Sequence, residues 1–346
     1  MVLNYKWTLK DADFRKNRGT VFSCFSCGGG STMGYKLAGF DVIGCNEIDP
    51  VMMAVYKKNH NPKFAYLEPI QTFKLREDLP KELYSLDILD GSPPCSSFSM
   101  SGNRGKDWGK KKKFKEGQKE QILDTLFFDF IELAKKLQPK IVIAENVKGL
   151  LLSEAKTYVN KILIEFDKAG YYVRYDLLDA SKMGVPQKRE RVFFCAIRKD
   201  LYKGEFEDMF QTIPILDLVF KEKEILFKDI ADKKGTPLTA LYHTRWEKRI
   251  ITDSNFGDIT LRTEGQKKCF SDKLLRYDYV PPTLTSGSSM VDYETGLNIT
   301  DYVKTLIGSF PLDYDFNKTP AQYIIGMSVP PLMTAKVIDK VYKQWM

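Results

Sequence analysis

Over its first 200 residues the chain alternates short β-rich runs with amphipathic stretches of helical period. "TVFSCFS", "DVIGCNEI", "LDILDGSPPC", "KIVIAENV", "YYVRYDLL" and "RVFFCAIRK" read as strands, and "MGYKLAGF", "VMMAVYKKNH", "TLFFDFIELAKKLQ" and "TYVNKILIEFDKAG" as the helices between them. Such alternation predicts an α/β fold: a largely parallel sheet with helices on both faces. Sheets of this kind bind ligands beyond the C-terminal ends of their strands. The segments "CGGG", "NEID", "GSPPC" and "ENV" each follow an apolar strand and so fall at that edge. From about residue 201 the alternation decays into a polar, aromatic-dotted stretch that reads as a smaller, β-rich domain. Helical periodicity returns in "TPAQYIIGMSVPPLMTAKVIDKVYKQW", which could rejoin the first domain.

With 346 residues the chain can bury a sizeable core without disulfides or a structural metal. No apolar run reaches the eighteen or so residues of a membrane span, and "MVLNYKWTLKDADFRKNRG" lacks a signal peptide's apolar core, so a cytoplasmic protein without membrane contact is expected. The net charge of +8 is compatible with a polyanionic partner, and its distribution is more telling. Between Arg104 and Lys119 stand eight basic residues against two acidic ones. Of six cysteines only Cys24 and Cys27 form a CxxC, and the two histidines, His60 and His243, lack ligand spacing, so no metal site is expected.

The glycines of "FSCGGGSTMG" would let backbone amides approach a ligand, and Glu47, closing the next strand, could hold the hydroxyls of a ribose. This pairing suits NAD or S-adenosylmethionine equally. Cys95, at a strand end behind Pro93 and Pro94, is placed as a nucleophile held in position by two stiff residues. Glu145 follows four apolar strand residues and lies at the same edge, where partial desolvation would raise its pKa and let it donate a proton. Arg189 and Arg191, two apart, would face one side of an extended chain. Thiol, carboxyl and guanidinium together suit methylation at C5 of a pyrimidine. A thiolate adds at C6, an acid caps N3, and an arginine holds O2 as charge develops in the ring.

The motifs "PPC", "ENV" and "QKRER", in this order, resemble the DNA (cytosine-5) methyltransferases of bacterial and phage modification systems, through most of the first 200 residues and the last 40. The resemblance implies a Rossmann-like, S-adenosylmethionine-dependent catalytic domain (residues 1–200 plus 316–346) and a β-rich target-recognition domain (201–315). Cys95 would attack C6, Glu145 would serve N3 and the exocyclic amine, and Arg191, helped by Arg189, would bind O2. Asn146 would hold the loop. Phe25, Ser26, Gly29, Gly30, Glu47, Ile48 and Pro93 would bind the cofactor. Ser99, Arg104, Lys110, Lys111, Lys112 and Lys113 would meet the phosphates of double-stranded DNA around a flipped base. A monomer is the default expectation, and any cognate restriction endonuclease would act separately.

The chain departs from the family pattern at several positions. Ser23 stands where the family has an acid, Cys27 where it has a glycine, Ser96 where glutamine is common and Met327 where asparagine is frequent. Near the third strand only Glu68 offers the acid expected to contact adenine. Among rival readings, an amino-methyltransferase would need an aromatic residue where Cys95 stands. A dinucleotide-dependent oxidoreductase would explain the glycine turn, Glu47 and the CxxC but leave the other motifs as coincidence. RNA as substrate keeps the chemistry, and a catalytically dead DNA-binding protein would not trap Cys95.

Overall fold

Strands covered on both faces need apolar residues at every position, with alternate side chains entering two different cores. The strands of this chain do so. Val21, Ile88, Ile141, Ile143, Phe193 and Ile197 enter one core, and their neighbours Phe22, Leu89, Val142, Ala144, Phe194 and Ala196 enter the other. The computed structural model describes residues 3–94, 125–152, 155–207 and 212–346, with the backbone of 111–112 and 121–122.

In chain order the first strands are β1 (Thr20–Cys24), β2 (Asp41–Glu47), β3 (Phe64–Leu67), β4 (Ile88–Gly91), β5 (Lys111–Lys112), β6 (Gln121–Ile122), β7 (Ile141–Val147), β8 (Tyr171–Asp179) and β9 (Glu190–Arg198). The helices among them are α1 (Gly30–Leu37), α2 (Pro50–His60), α3 (Ile70–Phe73), α4 (Leu126–Leu137) and α5 (Lys156–Lys168). Seven strands form one sheet in the order β3-β2-β1-β4-β7-β9-β8, and β5 pairs with β6 alone. Pairing is parallel from β3 to β7, whereas β9 runs antiparallel to β7 and β8. Only the short stretch after Asp179 joins β8 to β9, and it holds no crossover helix of the length a parallel return requires. The strand order reverses between β1 and β4, which opens a crevice beyond their C-terminal ends.

The second sheet consists of β10 (Gly235–Pro237), β11 (Lys273–Leu275), β12 (Met290–Asp292) and β13 (Leu297–Ile299), in the order β10-β13-β12-β11. Helices α6 (Ala240–Glu247) and α7 (Phe256–Glu264) accompany it around a small core of Phe256, Ile259, Leu274, Val291 and Tyr293. Leu216 and Leu218, upstream of this sheet, are part of the large sheet's core. Helices α8 (Asp301–Ile307), α9 (Ala321–Met327) and α10 (Pro331–Trp345) bring the chain back, and α10 packs on α1. A Cβ on Gly34 of α1 would stand 2.5 Å from the Pro331 carbonyl oxygen, so this close contact requires glycine. None of the described helices is long and apolar enough to cross a membrane.

Candidate active site

After β1 the backbone turns sharply through Phe25 (φ 52°) and Cys27 (φ 46°), both left-handed. The turn aims the Cys27 N–H at Glu47, whose Oε2 accepts it at 2.7 Å. The other oxygen, Oε1, accepts from Ile48 N–H at 2.8 Å and Asp49 N–H at 2.9 Å. Burial pushes the Glu47 carboxyl above its ordinary range, and the three N–H groups oppose that rise. Asp49 in turn caps α2 by accepting from Val51 and Met52.

These residues border a cavity of about 130 Å³ at the C-terminal ends of β1, β2, β3 and β4. Its wall is made by Phe25, Cys27, Asn46, Glu47, Ile48, Asp49, Met52, Glu68, Pro69, Ile70, Ser92, Pro94, Leu126, Tyr323 and Met327. Of the cofactor residues expected from sequence, Phe25, Glu47 and Ile48 are in this wall. Ser26, Gly29, Gly30 and Pro93 are not. The two glycines serve close packing here. A Cβ on Gly29 would stand 2.2 Å from His60 Nε2, and one on Gly30 would stand 2.2 Å from the Val329 carbonyl oxygen. Glu68 does reach the wall, while its carboxylate is held by Arg76 at 2.9 Å and by the Thr72 hydroxyl at 2.9 Å. Tyr323 and Met327 come from α9, far along the chain, and no local signal marks them as wall residues. Apolar walls with a few acids fit a nucleoside carrying a positive charge. Glu47 uses three of its roughly four acceptor positions on backbone N–H groups, which leaves one.

The carboxylate missing at position 23 has a counterpart one strand away. Ser23 and Asp90 are cross-strand partners in β1 and β4, and the Ser23 hydroxyl donates to Asp90 Oδ2 at 2.7 Å. Ser31 donates to the same oxygen at 2.9 Å and Tyr35 to Oδ1 at 3.0 Å, so an acid still ties α1 to the sheet. Burial raises the Asp90 carboxyl to about 6 against those three hydroxyls, with the nearby Glu145 charge adding to the rise. Cys27 and Cys24 are both raised by burial, Cys27 to about 12, which leaves neither thiol poised for redox work.

On the other side of the crevice Glu145 Oε1 accepts from Arg191 Nε at 2.9 Å. In the β7–β9 register Arg191 lies opposite Val147, so the pair is a diagonal neighbour on one face of the sheet. Asn146 donates from Nδ2 to the Pro93 carbonyl at 3.1 Å and accepts from Val147 N–H at 2.9 Å. It thereby fastens the "SPP" segment to the strand that bears Glu145. Cys95 itself, with Ser99, Arg104, Lys110 and Lys113, lies outside the described residues; Lys111 and Lys112 are seen only as the backbone of β5.

Arg189 precedes β9 and does not accompany Arg191. It is 3% exposed, and its guanidinium donates to the carbonyls of Leu284 (3.1 Å), Gly326 (3.1 Å) and Ser328 (3.0 Å). Its Nε–H has no partner among the described residues.

A mixed sheet in this order, with an acid closing β2 and a carboxylate–guanidinium pair on β7 and β9, defines a chain of the Rossmann-like methyltransferase class. The chain belongs to the C-5 cytosine-specific DNA methylase family, whose model matches residues 19–343. It is 37% identical over 219 residues to the Type II methyltransferase M.FnuDI of Fusobacterium nucleatum, a match covering 63% of this chain and 56% of that protein. With M.NgoPII of Neisseria gonorrhoeae it shares 39% over 225 residues, 63% of this chain and 61% of the relative. These matches thus span under two thirds of either relative's length. M1.HphI of Haemophilus parahaemolyticus is 26% identical over 344 residues, 94% of this chain and 87% of that one. In fold, the chain is similar to a DNA modification methyltransferase encoded within an E. coli prophage (TM-score 0.64, 20% identity, 94% of this chain and 98% of the other).

Proposed function

We propose that this chain methylates C5 of a cytosine within a specific sequence of double-stranded DNA, with S-adenosylmethionine as methyl donor. The observation that carries the reading is the Glu145–Arg191 pair on the strand that Asn146 fastens to the segment leading into Cys95, with the Glu47 cavity across the crevice.

The residues divide the work as follows. The thiolate of Cys95 forms a bond to C6 of the flipped base, and the C5–C6 π electrons move toward the ring nitrogen and carbonyl. Glu145, a carboxylate paired with Arg191 before the base enters, would take up a proton from solvent as Arg191 turns to O2 and pass it to N3, so the displaced charge is met by a proton and a cation. When bound, S-adenosylmethionine would provide the methyl group for C5 and become the neutral thioether S-adenosylhomocysteine. Loss of the C5 proton to a base then restores the C5–C6 double bond as the Cys95 sulfur departs, and N3 returns its proton to Glu145. Glu47, Phe25 and Ile48 would hold the nucleoside end of the cofactor. The basic run from Arg104 to Lys119 would neutralise phosphate, and residues 201–315 would read the sequence. A cytoplasmic monomer in a bacterial or phage-infected cell, serving restriction-modification or phage self-protection beside a separate endonuclease, completes the proposal.

The test is incubation with duplex DNA and methyl-labelled S-adenosylmethionine, followed by nucleoside analysis. Label in 5-methylcytosine, lost in Cys95→Ala with cofactor binding retained, is expected. Label in N6-methyladenine or N4-methylcytosine, or turnover by Cys95→Ala, would sink the mechanism.

A further inference from the structure

Two cations are buried among the described residues. Lys336 meets Glu222, whereas Arg189 has no carboxylate partner there and gives its two terminal nitrogens to backbone carbonyls. A guanidinium presents its N–H groups in a fixed plane, and a buried donor left without an acceptor costs about 1–3 kcal/mol. Its three carbonyls are therefore held in one arrangement, although they come from two distant parts of the chain.

One part is the segment ending at Leu284. Lys188 N–H donates to the Pro281 carbonyl at 2.8 Å, the Thr283 hydroxyl to the Lys188 carbonyl at 2.8 Å, and Leu284 N–H to Gln187 Oε1 at 3.0 Å. Just upstream, Arg276 stacks 4.0 Å from the ring centre of Tyr279, which is 57% exposed, so a cation–aromatic pair of the kind that meets nucleic acid stands at the surface. The other part is the end of α9, where Gly326 and Ser328 flank Met327, a wall residue of the cofactor cavity. A Cβ on Gly326 would stand 2.4 Å from Ser286 N, and Gln322 Nε2 donates to the Thr285 carbonyl at 3.1 Å. Helix α9 thus rests on the 284–286 segment on one side and walls the cavity on the other.

Resting on the function proposed above, we infer that Arg189 is a positioning residue coupling the cofactor cavity to the 276–286 segment, so that filling the cavity tightens the segment that meets DNA. A group entering the cavity bears on Met327, and the carbonyls of Gly326 and Ser328 move with it. Arg189 follows because its buried terminal nitrogens would otherwise lose the carbonyls they donate to, and the Leu284 carbonyl follows Arg189. Coupling between binding sites is reciprocal, so DNA on the segment strengthens cofactor binding by the same factor.

The experiment is amide hydrogen exchange on the full chain with and without saturating S-adenosylhomocysteine. Exchange at Leu284 N–H should slow by about fivefold or more in the wild type, the lower end for coupled sites. In Arg189→Lys, which keeps the charge but not the planar fork, the slowing should largely vanish although the ligand still binds. Binding without protection in the wild type, or full protection in folded Arg189→Lys, would overturn the coupling. If that variant does not fold, Met327→Ala decides: the slowing at Leu284 should be lost although the ligand still binds, and full protection would overturn the coupling. No binding by the wild type would remove the cofactor reading and this coupling with it.

Discussion

Glu47 and Glu145 stand at the same edge of one sheet and are similarly buried, 8% and 9% exposed, yet their charges are met by different means. Glu47 is held by three N–H groups from its own turn and the neighbouring loop, at residues 27, 48 and 49. Glu145 is held by a guanidinium from another strand. Backbone dipoles fix an anion in place without a second charge, which would suit the hold on a neutral ribose proposed for Glu47. An ion pair lets charge redistribute between acid, cation and a third party. Under the function proposed above, Glu145 would pick up its proton only as Arg191 turns from it to the base.

Removing one member of the ion pair breaks this contrast most severely. Arg191→Met would leave a buried carboxylate without its cation and should cost about 3–5 kcal/mol of stability, with the double variant Glu145→Gln/Arg191→Met recovering much of it. Urea denaturation of the single and double variants measures both terms, and methyl transfer should be lost in each. Additive losses would show that the two side chains do not act as a pair.

Asp90 sharpens the comparison, being an acid met only by hydroxyls. Its folded-state pKa of about 6 lies above that of an unfolded aspartate, so between about pH 4 and about pH 6 the folded chain holds a proton that the unfolded chain has released. Stability from this group therefore falls as pH rises through that window. Asp90→Asn should remove the slope, changing the wild-type-minus-variant stability difference by about 2–3 kcal/mol between about pH 4 and about pH 7. A pH-independent difference would place the titration elsewhere.

Glu47→Gln should show the smallest effect on folding, about 1–2 kcal/mol, because charge-assisted hydrogen bonds from backbone N–H groups become ordinary ones. Its larger consequence should be weaker binding of S-adenosylhomocysteine, read by calorimetry. Unchanged affinity would mean that Glu47 serves only its own loop.

The chain by itself determined the sheet, the helices around it and the edge at which Glu47 and Glu145 stand. Continuous apolar runs and helical stripes are local properties, and parallel strands joined through helices carry their ends to one side. The antiparallel β9 was implicit too, since too few residues separate it from β8 for a crossover helix. What tertiary structure decided was which partner meets each buried charge. Arg189 and Arg191 are alike in sequence, yet one meets the carbonyls of residues 284, 326 and 328 and the other meets Glu145. Ser23 looked like a missing acid until β4 set Asp90 beside it. Gly29 and Gly30 read as a cofactor turn, and the fold put His60 and Val329 in the space their absent side chains leave. Local pattern says which side chains are buried, but a buried polar group is completed by whatever distant segment the fold brings within about 3 Å, and no periodicity encodes that.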